Sequence, residues 1–278
     1  MTDTATQPSR LPGGVRAPKG HNAWFVALGS SFAAGAGLGD RLPGTPRISK
    51  RTAHGYPQQL ARLLDVPSFT DMSSSGATLE EVLHGGQGRL GPQIDAVGPQ
   101  TRLVTLTAGG NDIGYVGDLM GMARVRRPGL AGAWHRLFFK GPRRPEERDF
   151  AALHTTFVTT LTELRRRAPQ ALIIVATYPA ILDTAPPCPA LGISAAEADA
   201  MRGVGEQLAE TTRQAVAATD AVLVDMAALS TDHAVCSEQP WIYGPFPKSG
   251  MGFHPTLAGA TATAAAIADL IRERGLVG

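Results

Sequence analysis

Short apolar runs recur along the chain at residues 24–28, 68–72, 103–107, 172–176 and 221–224. The last three read LVTLT, LIIVA and AVLV, rich in β-branched residues and nearly unbroken in apolar character. Such runs suit strands covered on both faces, as in a parallel sheet. Between them lie stretches with helical spacing, at 56–64, 78–83, 150–167, 195–219 and 257–274. Within 150–167, Leu153, Phe157, Leu161 and Leu164 fall at intervals of four and three, which places them on one buried stripe. Strand and helix in alternation predict an α/β fold, a three-layer α/β/α sandwich with its crevice at the carboxyl ends of the strands. Residues 1–22 are polar with repeated Pro and Gly and are expected to form a flexible tail, leaving 23–278 as the folded domain. The stretch 115–147 shows neither period clearly and is expected to be an irregular insertion, a lid or wall over the crevice.

Composition narrows the class. At 278 residues the chain can bury a large core, and 43% apolar against 18% charged residues marks it as globular. A net charge of +2 is too small for a dedicated nucleic-acid surface. The positive excess is local: residues 115–150 hold eight Lys and Arg against four Asp and Glu. No run approaches the roughly 20 apolar residues of a membrane span, so stable insertion is not expected. The N-terminus lacks the apolar core of an export signal, so either the protein stays in the cytoplasm or a signal has been removed and it is secreted. Two cysteines, Cys188 and Cys236, permit one bridge or two free thiols, and no four-thiolate zinc site.

Chemistry-bearing residues follow the strands. After the first comes Gly29-Ser30-Ser31, where a hydroxyl at a strand-to-helix turn can serve as a nucleophile or merely cap the helix. After the second come Gly76 and then Thr78 with Glu81 three positions later, the spacing of a capping box. Gly109-Gly110-Asn111-Asp112 follows the third, and an Asn amide can donate to an oxyanion without titrating. His254-Pro255 precedes the last helix, with Pro255 suited to its first turn. The other histidines, at 21, 54, 84, 135, 154 and 233, fall in the tail, in loops or on helix faces.

Taken in this order, the four blocks resemble those of the SGNH (GDSL-type) hydrolase superfamily, and FVALGSSFAAG, LTAGGND and FHPTLAG look most like its actinobacterial esterase, lipase and phospholipase branch. The resemblance implies a flavodoxin-like five-stranded sheet of order 2-1-3-4-5 and a serine carboxylic ester hydrolase acting on a small-molecule or lipid ester, with no metal or organic cofactor; nothing in the sequence requires more than a monomer. It assigns Ser31 as nucleophile, His254 as general base, and the Ser31 N–H, Gly76 N–H and Asn111 amide as the oxyanion hole. An imidazole beside the hydroxyl and fixed donors for the oxyanion are what acyl transfer requires. By the same resemblance, exported members bridge cysteines placed like Cys188 and Cys236.

Two positions depart from the family pattern. Ser30 stands where Asp usually precedes the nucleophile, leaving two adjacent hydroxyls to distinguish. Met251 stands where Asp usually lies three residues before the His, and residues 240–254 contain no carboxylate. A main-chain carbonyl within 241–252 is therefore the expected acceptor for the imidazole, giving a Ser-His dyad, with Asp225 as a remote alternative. Without a carboxylate the His254 pKa is expected near 6.5. Transfer of the acyl group to an alcohol, or a non-catalytic binding protein on the same fold, are the alternative functions.

Overall fold

The computed structural model describes residues 23–183 and 186–275; the expected tail at 1–22 lies outside them. Five parallel strands, β1 (Phe25–Gly29), β2 (Phe69–Asp71), β3 (Leu103–Thr107), β4 (Leu172–Ala176) and β5 (Val222–Val224), form one sheet in the order β2-β1-β3-β4-β5. The helices are α1 (Ser31–Ala34), α2 (Tyr56–Leu63), α3 (Leu79–His84), α4 (Tyr115–Val125), α5 (Leu130–Phe138), α6 (Phe150–Arg167), α7 (Ala195–Ala217), α8 (Met226–Leu229) and α9 (Leu257–Glu273).

Side-chain alternation along the strands divides the core in two. Val26, Leu28, Val104, Leu106, Ile173 and Val175 point to one face, where α3, α6 and α7 bring Val82, Leu161 and Leu208. Phe25, Ala27, Leu103, Ile174 and Ala176 point to the other, against Tyr56 and Leu60 of α2 and Ile267 and Ile271 of α9. Each fully buried aliphatic or aromatic side chain contributes about 1.5–3 kcal/mol. The order reverses at β1, which pairs with β2 on one side and β3 on the other. A crevice opens at the carboxyl ends of strands where such a reversal occurs.

Local signals behave as their chemistry dictates. Thr78 and Glu81 form the capping box that starts α3. Pro255 lies near the first turn of α9, just before it: Thr256 is the N-cap, accepting from Gly259 N–H, and Pro255 pairs with Ile242 as an isolated bridge. Of the segment 115–147, expected to be irregular, residues 115–125 and 130–138 are helical, as α4 and α5. Tyr115, Leu119, Met122 and Ala123 form a buried stripe of helical spacing that Gly117, Gly121 and the surrounding arginines obscure in the sequence. The start of α4 is anchored by Arg148, which is buried, 2.6 Å from Asp118 and bonded to the Ile113 carbonyl.

Cys188 and Cys236 form a disulfide across a separation of 48 residues, joining the loops that follow β4 and β5. In the chain-entropy account a closed loop of that length contributes about 4 kcal/mol by restricting the unfolded chain. Replacing both cysteines with serine should lower unfolding free energy by about 3–4 kcal/mol in urea titrations without changing the far-ultraviolet spectrum.

Candidate active site

The turn after β1 sets two hydroxyls in opposite roles. Ser30 ends the strand with extended backbone, and its N–H donates to the Thr107 carbonyl at 2.9 Å. Its side chain caps nothing; it is fully buried and meets the Tyr178 hydroxyl at 2.6 Å. Ser31, the first residue of α1, turns the other way, and its Oγ lies 2.8 Å from Nε2 of His254. The adjacent hydroxyls are thus separated by their partners.

His254 arrives from a turn in which its own N–H donates to the Met251 carbonyl at 3.1 Å. Phe253, the third residue of that turn, is left-handed at φ 55°, a conformation costing a non-glycine residue roughly 1–2 kcal/mol. Its fully buried ring and the bond from its N–H to the Tyr243 carbonyl hold it there. The turn folds the Gly252 carbonyl back to 2.8 Å from Nδ1 of His254. A side chain at Gly252 would sit 2.2 Å from the Pro245 carbonyl oxygen and 2.7 Å from Met120 Sδ, so only glycine permits this approach. With Nδ1–H donating to Gly252, Nε2 is left as the basic nitrogen toward Ser31.

The imidazole is 3% exposed and lies against the Phe32 ring, tilted to it, with 5.3 Å between centroids. Burial pushes its pKa down to about 4; the Gly252 carbonyl opposes the shift and Lys50 adds to it. This corrects the expected value near 6.5. Burial outweighs the Gly252 hydrogen bond, so His254 is neutral throughout the physiological range. Asp225 lies elsewhere in the hydrogen-bond network: it caps α8 and pairs with Arg213 at 2.8 Å.

Gly76 sits at φ 86° in the loop after β2, and Asn111 in the turn after β3. The Asn111 amide donates to the Ala77 carbonyl at 2.8 Å, which joins the two turns and leaves its second N–H available.

Several contacts that hold this arrangement escaped the sequence reading. Gln93 grips Gly29 from both sides, accepting from its N–H at 2.8 Å and donating to its carbonyl at 3.0 Å. Gln87 donates to the Ser75 carbonyl at 2.7 Å; since carbonyl and N–H oppose each other across a trans peptide, this fixes where the Gly76 N–H points. Tyr178 joins Ser30 to the Gly110 N–H. Asp112 accepts from Leu79 N–H at the start of α3. Each partner is distant in sequence, and a glutamine or tyrosine in a loop carries no local sign of such a bond.

A serine and an imidazole in contact at the carboxyl edge of a 2-1-3-4-5 sheet suit one class, the carboxylic ester hydrolases of α/β fold. Within it, this chain belongs to the GDSL-like Lipase/Acylhydrolase family, whose profile matches residues 27–262. It is 29% identical over 252 residues to Lipase 2 of Streptomyces coelicolor, covering 84% of this chain and 81% of that one. Among solved structures, an extracellular lipase from Streptomyces rimosus superposes with a TM-score of 0.71 at 24% identity, covering 88% of this chain and 98% of that one. Phospholipase A1 from Streptomyces albidoflavus gives 0.69 at 25% identity, with 91% and 100% covered.

Burial pushes the Asp112 carboxyl up to about 6; N–H donors oppose the shift and Glu80 and Glu81 add to it. Because the folded protein holds this proton more tightly than the unfolded chain, the resulting stability is full below about pH 4 and is lost as pH rises through about 6. Asp112→Asn keeps an acceptor for Leu79 N–H but cannot titrate. Urea titrations from pH 4 to 7 should show that loss in the wild type and not in the variant; parallel curves would assign it to another group.

Proposed function

We propose that the protein hydrolyses carboxylic esters through an acyl-enzyme on Ser31, with His254 as general base and acid in a Ser-His dyad. The observation that carries this reading is the imidazole held between Ser31 Oγ and the Gly252 carbonyl, 2.8 Å from each. Nε2 takes the Ser31 proton as Oγ attacks the ester carbonyl carbon. The tetrahedral oxyanion is received by the N–H groups of Ser31 and Gly76 and by the free N–H of the Asn111 amide. Each such donor is typically worth about 10²–10³ in rate. His254 then protonates the departing alcohol, and the acyl group remains on Ser31. Water attacks the acyl carbon, giving its proton to Nε2, and collapse of the second intermediate releases the carboxylic acid and restores the serine.

Gly252 fixes the tautomer through Nδ1 but carries no full negative charge, so imidazolium gains less from it than from a carboxylate. Hydrolysis is favoured over transfer to an alcohol, and catalysis over mere binding, by the family membership and the intact Ser31–His254 contact. The Streptomyces lipases and phospholipase A1 point to acyl esters of lipids as substrates.

Ser31→Ala and His254→Ala should each lower kcat by about 10³-fold or more, with the double variant scarcely worse, because residues acting as one unit are non-additive. Ser30→Ala should keep most activity; the opposite ranking would move the nucleophile by one residue. Asn111→Ala should lower kcat by about 10² with little change in KM. Since only neutral His254 can accept the proton, kcat/KM should rise with pH through about 4 and level off by about 6. A midpoint near 7 in a pH profile would show that the imidazole is not desolvated as described.

A further inference from the structure

Helix α5 is seated on the molecule by one side only. Gly132 packs so closely on the Arg127 carbonyl that a Cβ there would lie 1.7 Å from its oxygen, and the Phe139 ring just beyond the helix lies against Gly121 of α4. The opposite side presents Leu130, Trp134, Leu137 and Phe138, which are 90%, 64%, 77% and 62% exposed. Their spacing of four, three and one makes a single stripe, and the Trp134 and Phe138 rings touch at 4.7 Å. Scattered apolar residues on a surface are ordinary, whereas a contiguous stripe of four large ones marks an interaction face.

Charge identifies what covers it. From residue 119 to 145 the chain has no Asp or Glu, yet it carries Arg124, Arg126, Arg127, Arg136, Lys140, Arg143 and Arg144. All seven are exposed. Arg126 pairs with Glu197, and Arg144 with Glu146 and Glu147, outside that stretch. Arg124, Arg136 and Lys140 enter no ion pair among the described residues. An apolar stripe of Trp, Phe and Leu flanked along the chain by exposed cations and by no acid is the composition of a helix lying in the plane of a lipid headgroup layer. A second copy is a poor occupant, because a two-fold interface sets the same patch against itself and would oppose the cations of one subunit to those of the other.

The seated side of the helix adjoins the His254 loop. Arg127 at the end of α4 stacks 4.9 Å over the Phe246 ring, itself 43% exposed, in the loop leading to Gly252. Met120 of α4 borders Gly252 directly. Among the described residues no helix is long and apolar enough to cross a membrane, so contact would be peripheral.

We propose that the α5 stripe and its flanking cations dock the protein on an anionic lipid surface, bringing the His254 loop against the lipid layer. The docking stands on its own observations; only its consequence, delivery of lipid esters to Ser31, rests on the function proposed above. The test is sedimentation of the full chain with vesicles of phosphatidylcholine alone or mixed with phosphatidylglycerol, with hydrolysis of a short soluble ester as a separate readout. The wild type should bind the anionic vesicles about tenfold or more tightly, and salt should weaken that binding. Trp134→Ser combined with Leu137→Ser should reduce it by about tenfold or more and leave soluble-ester hydrolysis within about twofold. Brominated lipid should quench part of the emission of the three tryptophans in the wild type, and that part should be lost in Trp134→Phe, which keeps an apolar ring on the stripe. Equal binding to both vesicles without quenching would overturn the proposal, as would a concentration-dependent dimer that the double substitution dissolves. Intact soluble-ester hydrolysis in that event would leave the catalytic reading standing.

Discussion

The arrangement at the carboxyl edge of the sheet depends on one hydrogen bond, from His254 Nδ1–H to the carbonyl of Gly252 two residues earlier. A contact this local is possible only if the chain reverses within a single turn. The reversal places Phe253 in left-handed backbone and requires a residue without a side chain at Gly252. Burial of the Phe253 ring offsets that strain, as is common where strained backbone serves a site. The same bond fixes the tautomer, so Nε2 faces Ser31 as a base. Its cost is electrostatic: a neutral carbonyl in a dry setting cannot offset desolvation, and proton affinity falls well below that of a solvated imidazole.

Around that contact the polar groups are satisfied in pairs that tie one strand end to the next. Gln93 clamps the end of β1, Tyr178 links the turns after β1 and β3, and Asn111 reaches the loop after β2. Buried polar groups of this kind cost stability when unpartnered and confer rigidity when paired. They hold the four turns in register, which the proposed chemistry requires, since oxyanion donors act only at hydrogen-bond distance from the developing charge. Ser30 fits this account: at the position where the family places an acid, it serves as a buried bridge to Tyr178.

The segment following the Asn111 turn divides its apolar residues between two tasks. Leu119 and Met122 of α4 belong to the core, whereas Trp134, Leu137 and Phe138 of α5 face outward. The buried Arg148–Asp118 pair anchors α4 firmly, and α5 rides on it through Gly132 and Phe139. Rigid attachment at one side and an apolar face at the other suit a surface helix that must keep a fixed relation to the His254 loop.

Much of this protein was legible in its sequence, because burial imposes periods that one chain reveals by itself. The apolar runs at 24–28 and 103–107, the stripe Leu153, Phe157, Leu161 and Leu164, and the Thr78–Glu81 box are all patterns of residues close along the chain. The order of Ser31, Gly76 and Asn111 after the first three strands, with His254 before the last helix, was readable too, since a parallel sheet brings those strand ends to one edge. What tertiary structure alone decided was partnership. Ser31 and not Ser30 meets His254 across 223 positions, and Tyr178, Gln87 and Gln93 find carbonyls and hydroxyls that no local pattern announces. The depressed His254 pKa and the outward face of α5 belong with these, because desolvation and exposure depend on everything packed around a group and not on its neighbours in sequence.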